Sequence, residues 1–244
     1  MNNHNKLLRN GKTTFIFIFS FFCCSGSEEP VTHNGPELRC PDFPVIHSGE
    51  ATYYYPEVAP GNCSFDSIPS DFMIGAMNAV DYAGSQICGA CVEITGPKGS
   101  VVIKIIDQCP ECPKGNIDLS PQAFSKIADT LSGRVPINWQ IIPCDLSKPI
   151  EYNFKGDTNQ WWMAVQIRNH RYPIYSIEYL TLQKKFKPLT RVDYNYFVEY
   201  GGIGLGPYIF RVTDIYGHLL VDSTVTLNDT LQFPGNKQFP LCNP

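Results

Sequence analysis

The chain has 244 residues, 43% of them hydrophobic, enough to build one or two ordinary cores. Only 17% are charged, with 19 Lys and Arg against 23 Asp and Glu, and the formal net charge of -4 comes without any run of like charges, which excludes nucleic acid as the main partner. The 19 Gly, 20 Pro and 13% aromatic residues suit short strands joined by turns and exclude a helix bundle.

Taken in chain order, residues 1–25 have the layout of an export signal. Lys6, Arg9 and Lys12 precede the apolar run 13–22, and the small residues Ser25, Gly26 and Ser27 follow it. That run is about half the roughly 20 residues a spanning helix needs, so cleavage is expected rather than anchoring. No later stretch is apolar enough to span. The mature chain is expected outside the cell with no membrane contact. Residues 26–45 are proline-rich and aperiodic and read as an extended arm.

Between 46 and 146 the strand signals are 51–55, 90–95, 101–106 and 137–142, the last two dense in β-branched residues. Gly96-Pro97-Lys98-Gly99 supplies a hairpin turn. One helix is specified: Ser120 caps it, Pro121 takes its first position, Phe124, Ile127, Ala128 and Leu131 share a face, and Gly133 stops it. Asp118 therefore precedes a helix N-terminus, where an ionised carboxylate is favoured and an acid role needs desolvation.

The stretch 145–149 is a short polar linker that holds the two halves in a nearly fixed relation. Strands are then expected at 150–154, 161–169, 175–182, 194–200, 208–212 and 219–225, with no helix, as in a small antiparallel sandwich over 150–244. Alternation along 161–168 places Trp161, Met163, Val165 and Ile167 on a core face and Trp162, Ala164, Gln166 and Arg168 outward. Tyr196 reads as core by its size.

Removing Cys23 and Cys24 with the signal leaves eight of the ten cysteines: Cys40, Cys63, Cys88, Cys91, Cys109, Cys112, Cys144 and Cys242. The spacing of Cys88, Cys91, Cys109 and Cys112 also fits a four-cysteine zinc site, but export to an oxidising compartment favours disulfides. Asn62 (NCS) and Asn228 (NDT) are glycosylation sequons suited to the same compartment.

Cys88-Gly-Ala-Cys91, Asp107-Gln-Cys-Pro110 and the run 118–124 (DLSPQAF) resemble the six-stranded double-psi β-barrel of expansins, barwin-like proteins and family-45 glycoside hydrolases. Trp161-Trp162, the run 166–173 (QIRNHRYP) and 192–197 (VDYNYF) resemble the immunoglobulin-like cellulose-binding domain of expansins, and the two matches together cover about residues 46–240. The resemblance implies an all-β chain with a barrel over 46–146 and a sandwich over 150–244. It also implies that Thr52, Asp107 and Asp118 lie in a polysaccharide groove, and that Trp161, Trp162 and Tyr194 lie on a flat sugar-binding face. Two departures stand out: plant expansins carry a His where this chain has Asn116, and bacterial relatives carry a Tyr where it has Cys109. Pairs Cys63–Cys88 and Cys91–Cys144 are implied, with Cys109–Cys112 and Cys40–Cys242 as the remaining two.

Glycosidases need two carboxyl groups across the scissile bond. Asp118 matches the acid of the family-45 hydrolases, while no residue aligns with their base; Asp66, Asp71 and Asp81 lie in the preceding loop region. The expectation is a secreted, monomeric protein of the extracellular matrix or wall that binds cellulose or a related β-glucan. It would loosen the matrix without hydrolysis, and without cofactor or metal. The alternative is an endoglucanase or transglycosylase using Asp118 as general acid.

Overall fold

In the computed structural model the described residues are 40, 45–56, 61–228 and 230–242. The export signal 1–25 and the arm 26–45, apart from Cys40 and Val45, lie outside them. Six strands, β1 (His47–Tyr53), β2 (Ile74–Asn78), β3 (Cys91–Gly96), β4 (Gly99–Cys109), β5 (Ile117–Leu119) and β6 (Val135–Ile142), close a barrel in the order β1-β5-β2-β4-β3-β6. β6 pairs back onto β1. Two of the pairings, β1 with β5 and β2 with β4, are parallel.

The β-branched runs of β3, β4 and β6 fill the barrel with Val92, Ile94, Ile103, Ile105, Ile137 and Trp139, all buried. The expected hairpin joins β3 to β4, with Gly96 opposite Gly99. β2 and β5 carry no such signal. The sequence of β2, Ile-Gly-Ala-Met-Asn, has weak strand propensity, yet all five residues are buried because the strand is held between β4 and β5.

Between β2 and β3 a single helical turn, α1 (Ala79–Tyr82), is capped by Asn78. The expected helix is α2 (Pro121–Ile127); the Ser120 hydroxyl accepts from Ala123 N at 3.2 Å, and Ala123, Phe124 and Ile127 are buried. It ends sooner than its periodicity implies. Ala128 is extended, Asp129 caps a separate 3-10 turn over Thr130–Ser132, and Leu131 is 93% exposed rather than on the buried face.

The second half forms two sheets. Strands β7 (Glu151–Phe154), β8 (Met163–Arg168), β11 (Thr190–Arg191), β12 (Phe197–Glu199) and β15 (Gln232–Pro234) make one, in the order β11-β12-β8-β7-β15. The other is β10-β9-β13-β14, from β9 (Ile174–Leu180), β10 (Phe186–Pro188), β13 (Tyr208–Asp214) and β14 (Leu219–Val225). Between them Tyr152, Phe154, Val165, Ile167, Ile177, Phe197, Phe210 and Val212 form one apolar core.

Alternation holds within β8: Met163, Val165 and Ile167 face that core. The opposite face is not free, because the barrel covers part of it. Gln166 is fully buried and donates to the Cys63 carbonyl at 3.0 Å, where Asn195 Nδ2 also donates at 3.1 Å. Arg168 reaches across to Asp66, with Nη2 2.9 Å from Oδ1. The Ser85 hydroxyl donates to Val192 O at 2.8 Å and Tyr82 Oη to Asp193 O at 2.8 Å. His170 packs where Gly89 lacks a side chain: a Cβ there would sit 2.6 Å from Nε2, and burial pushes the imidazole down to about 3. A neutral, inward-facing histidine and a satisfied polar seam make the two halves one compact unit.

Four disulfides, Cys40–Cys242, Cys63–Cys88, Cys91–Cys144 and Cys109–Cys112, join cysteines whose Cα atoms lie 5.2–5.5 Å apart.

Candidate functional site

The parallel pairing of β1 with β5 sets Thr52 directly opposite Asp118. The Thr52 hydroxyl donates to Asp118 Oδ1 at 2.5 Å. Burial holds the Asp118 carboxyl above the usual carboxylate range; the Thr52 hydrogen bond pulls the other way, Glu111 adds to the rise and Arg134 offsets it. A half-buried carboxyl of this kind can carry or donate a proton at a pH where an exposed one is ionised.

Asp107, near the end of β4, is held by different partners. Its Oδ1 accepts from the backbone N–H of Asn62 at 2.7 Å and of Gln108 at 2.8 Å. Gly61 permits this approach, since a Cβ there would lie 2.5 Å from the Asp107 Cγ. Asp107 lines an open cleft of about 760 Å³ together with Tyr54, Tyr55, Asn62, Gln108 and Pro110.

Tyr54 feels the charge of both Asp107 and Asp118 and was missed by sequence reasoning. Its hydroxyl is buried, has no hydrogen-bond partner among the described residues, and is pushed well up by burial, then by the charges of Asp107 and Asp118. Strand alternation offered the signal, since Tyr54 lies two residues after Thr52 and so shares its face. Glu111 is the other omission: it is exposed, in the loop closed by Cys109–Cys112, and near enough to act on Asp118.

The three aspartates considered as a base are all occupied. Asp66 is paired with Arg168, which holds its carboxyl below the usual value. Asp81 Oδ2 accepts from Asn78 Nδ2 at 2.7 Å and Gly115 N at 2.9 Å, and Asp71 Oδ1 accepts from Met73 N at 3.1 Å. Asn116, at the departure from the plant pattern, is buried and accepts from Glu50 N at 2.9 Å. Cys109 is buried in its disulfide.

On the sandwich, Trp161 corrects the alternation reading. It lies not in β8 but in a tight turn closed by the Asn159–Trp162 bridge, where its N–H donates to Asn159 Oδ1 at 2.8 Å, and it is 72% exposed. Trp162 is half-buried against Ala164, Tyr196, Val198 and Tyr194. Tyr194 stands on a turn after β11 with its ring 6.0 Å from that of Tyr196; burial raises its hydroxyl, and Tyr200, itself 67% exposed, adds to the rise. Tyr196 is buried.

The two sequons differ. Asn62 Nδ2, the atom a glycan would occupy, donates to the Tyr82 hydroxyl at 2.9 Å and Asp193 O at 3.0 Å inside the seam. Asn228 is exposed. Among the described residues one group has metal-ligand character, Cys40, His218 and Cys242, but its two sulfurs are spent on a disulfide. No helix of the described residues is long and apolar enough to cross a membrane.

A closed six-stranded barrel with a half-buried carboxyl, followed by a two-sheet sandwich with exposed aromatics, defines a two-domain protein of the double-psi class. A family profile described as lytic transglycolase matches residues 75–139. Expansin-YoaJ of Bacillus subtilis is 35% identical over 204 residues, covering 80% of this chain and 87% of that protein. Expansin-like protein 2 of Dictyostelium discoideum is 32% identical, covering 74% of this chain and 47% of that protein. Among solved structures, apo Clavibacter michiganensis expansin superposes with a TM-score of 0.75 at 30% identity, over 82% of this chain and all of that one. A mutant of the same expansin in complex with cellohexaose gives 0.74. The chain belongs to the expansin family.

Proposed function

We propose that the chain is exported, binds cellulose or a related β-glucan as a monomer, and loosens a glucan matrix by disrupting contacts between chains without net bond cleavage. The observation that supports the non-hydrolytic reading is that Asp66, Asp71 and Asp81, the aspartates considered as a base for Asp118, are each tied to other groups. Burial raises the Asp118 carboxyl above its usual value, while Asp66 is held by an arginine and Asp71 and Asp81 by amide groups. Hydrolysis needs a second carboxyl across the sugar ring to activate water or form the glycosyl bond. Asp107, saturated on one oxygen by two backbone N–H groups, serves as a fixed acceptor that shapes the cleft.

Binding is assigned to Trp161, Trp162 and Tyr194. Exposed flat rings suit β-glucan because pyranose faces present C–H groups, so stacking removes apolar area from water without any need for charge. The likeness to an expansin crystallised with cellohexaose supports this reading. In the barrel, Thr52, Asp118 and the cleft beside Asp107 compete for hydroxyls that would otherwise pair chain with chain. The test is a pull-down on crystalline cellulose alongside a reducing-sugar assay of the supernatant. Retention on cellulose with no sugar above background is expected; steady release of cello-oligosaccharides, lost in Asp118→Asn, would make the protein an endoglucanase, with Glu111 the first base to try.

A further inference from the structure

His218 and Asp214 lie at the two ends of the hairpin turn between β13 and β14, far in sequence from both sugar sites. Asp214 is fully buried, and its Oδ1 accepts the backbone N–H groups of Tyr216 and His218 at 2.9 Å each. Its Oδ2 lies 2.7 Å from His218 Nδ1, and a carboxylate can only accept, so that nitrogen carries a proton. The other nitrogen, Nε2, is thereby turned outward and lies 3.6 Å from Cys40 Sγ. Tyr172 stacks on the same imidazole, and its hydroxyl accepts from Cys242 N at 3.1 Å. Buried carboxylate, oriented imidazole and sulfur are thus in line.

The bridge they address differs from the other three. Both of its cysteines are partly exposed, whereas Cys63, Cys88, Cys109 and Cys144 bury at least one end of every other pair. It spans 202 positions of sequence and closes outside the strands of both domains. A disulfide opens by attack of a thiolate on one sulfur, and the rate depends on access and on how well the other sulfur leaves. An imidazolium beside the leaving sulfur stabilises the developing thiolate, and a buried carboxylate behind the ring stabilises the imidazolium.

We propose that Cys40–Cys242 is a thiol-exchange and modification site for low-molecular-weight thiols, at which His218 is the proton donor. The thiolate attacks Cys242 Sγ, and a new sulfur–sulfur bond forms there as the Cys40–Cys242 bond breaks. The bonding pair goes to Cys40 Sγ, which takes from His218 Nε2 the proton that this nitrogen first drew from the attacking thiol, so the Nδ1-protonated imidazole is restored. The product is a mixed disulfide on Cys242 and a free thiol at Cys40, so the segment preceding residue 40 is no longer tied covalently to the C-terminus. Attack of Cys40 on the mixed disulfide restores the bridge and releases the thiol, whereas a second external thiol leaves both cysteines reduced and departs with the first as their disulfide. In the first step the Cys40 sulfur is reduced to a thiol as the attacking thiol's sulfur is oxidised into the mixed disulfide, so no further oxidant or reductant is needed.

Glutathione is the probe, applied to the folded full-length chain at neutral pH with acid quenching, alkylation of free thiols and mass mapping of peptides. The expected result is a glutathione adduct on Cys242 with the alkyl label on Cys40, forming at least about tenfold faster than any adduct at Cys109–Cys112, and slowed by about tenfold or more in His218→Gln. Mere loosening of the turn by that substitution would expose the bridge and speed the exchange, so the sign of the change separates chemistry from damage. An adduct on Cys40 or on both cysteines equally overturns the proposal. So does a Cys40–Cys242 bridge that opens no faster than the others, or exchange unchanged or accelerated in His218→Gln.

Discussion

The barrel groove and the aromatic face of the sandwich rest on opposite physics. On the barrel the proposed working group, Asp118, is a carboxyl whose charge burial makes costly, so its state depends on its neighbours: the Thr52 hydroxyl, Glu111 and Arg134. On the sandwich the decisive property is apolar area left uncovered, as at Trp161, and a neutral ring has no protonation state to tune. The groove should therefore respond to pH and to single-atom changes, and the aromatic face to loss of area alone. That contrast also assigns the work. In the proposed function, a surface that stacks would hold many chains without discriminating, while a desolvated carboxyl would act at one point.

The largest effect expected from breaking this division is on affinity. Trp161→Ala should weaken cellulose binding by on the order of 1–3 kcal/mol, measured by depletion isotherms, with little dependence on salt. Because Trp161 is in a turn and mostly exposed, its loss should leave the melting temperature nearly unchanged. Trp162→Ala should weaken binding and also lower stability, since Trp162 covers Ala164, Tyr196 and Val198. Equal binding by wild type and both variants would remove the sandwich from the account.

Next in size is Asp107→Ala, which leaves the N–H groups of Asn62 and Gln108 without their acceptor. A cost of about 1–3 kcal/mol in denaturant unfolding is expected, with cellulose binding retained. A smaller and sign-specific effect belongs to Asp118. Its folded-state carboxyl titrates above the unfolded value of 3.8. Between these two values the folded protein holds a proton that the unfolded chain has released, so this group's contribution falls as pH rises through that window. Asp118→Asn should flatten that part of the stability–pH curve and make the protein no less stable at neutral pH. A steeper curve would contradict the desolvated carboxyl.

The last effect is one of occupancy. Glycopeptide mapping should find Asn62 unmodified, because its Nδ2 is committed to Tyr82 and Asp193 in the seam, while a glycan on Asn228 would displace only one bond, from its Nδ2 to Gln232 O at 2.9 Å on an exposed turn. A glycan on Asn62 in folded, cellulose-binding protein would mean that the seam is not as described.

Much of this was legible in the sequence, for identifiable reasons. Strands β3, β4 and β6 declare themselves through β-branched runs between Gly and Pro, and the start of α2 through Ser120 and Pro121. Other features were not legible because distant partners decide them. β2 and β5 exist because the strands beside them hold them, and no local pattern records that. The alternation rule failed at Trp161 because Asn159 closes a turn just before β8, so the strand begins at Met163, two residues after the apolar run does. Gln166 read as a solvent-facing polar residue and is instead fully buried against the barrel. Tyr54 joins the cleft, and Glu111 comes to act on Asp118, only through folding, one by strand register and the other by a short disulfide loop.

The central claim is that Asp118 works on glucan contacts without a carboxyl partner. Creep of a cellulose network under constant load, with soluble sugar measured in the same sample, tests it most directly. The account predicts added creep with wild-type protein and no sugar above background over long incubation. With Asp118→Asn it predicts loss of creep but retained cellulose binding. Creep that rises in proportion to released cello-oligosaccharides, both abolished by Asp118→Asn, would contradict it.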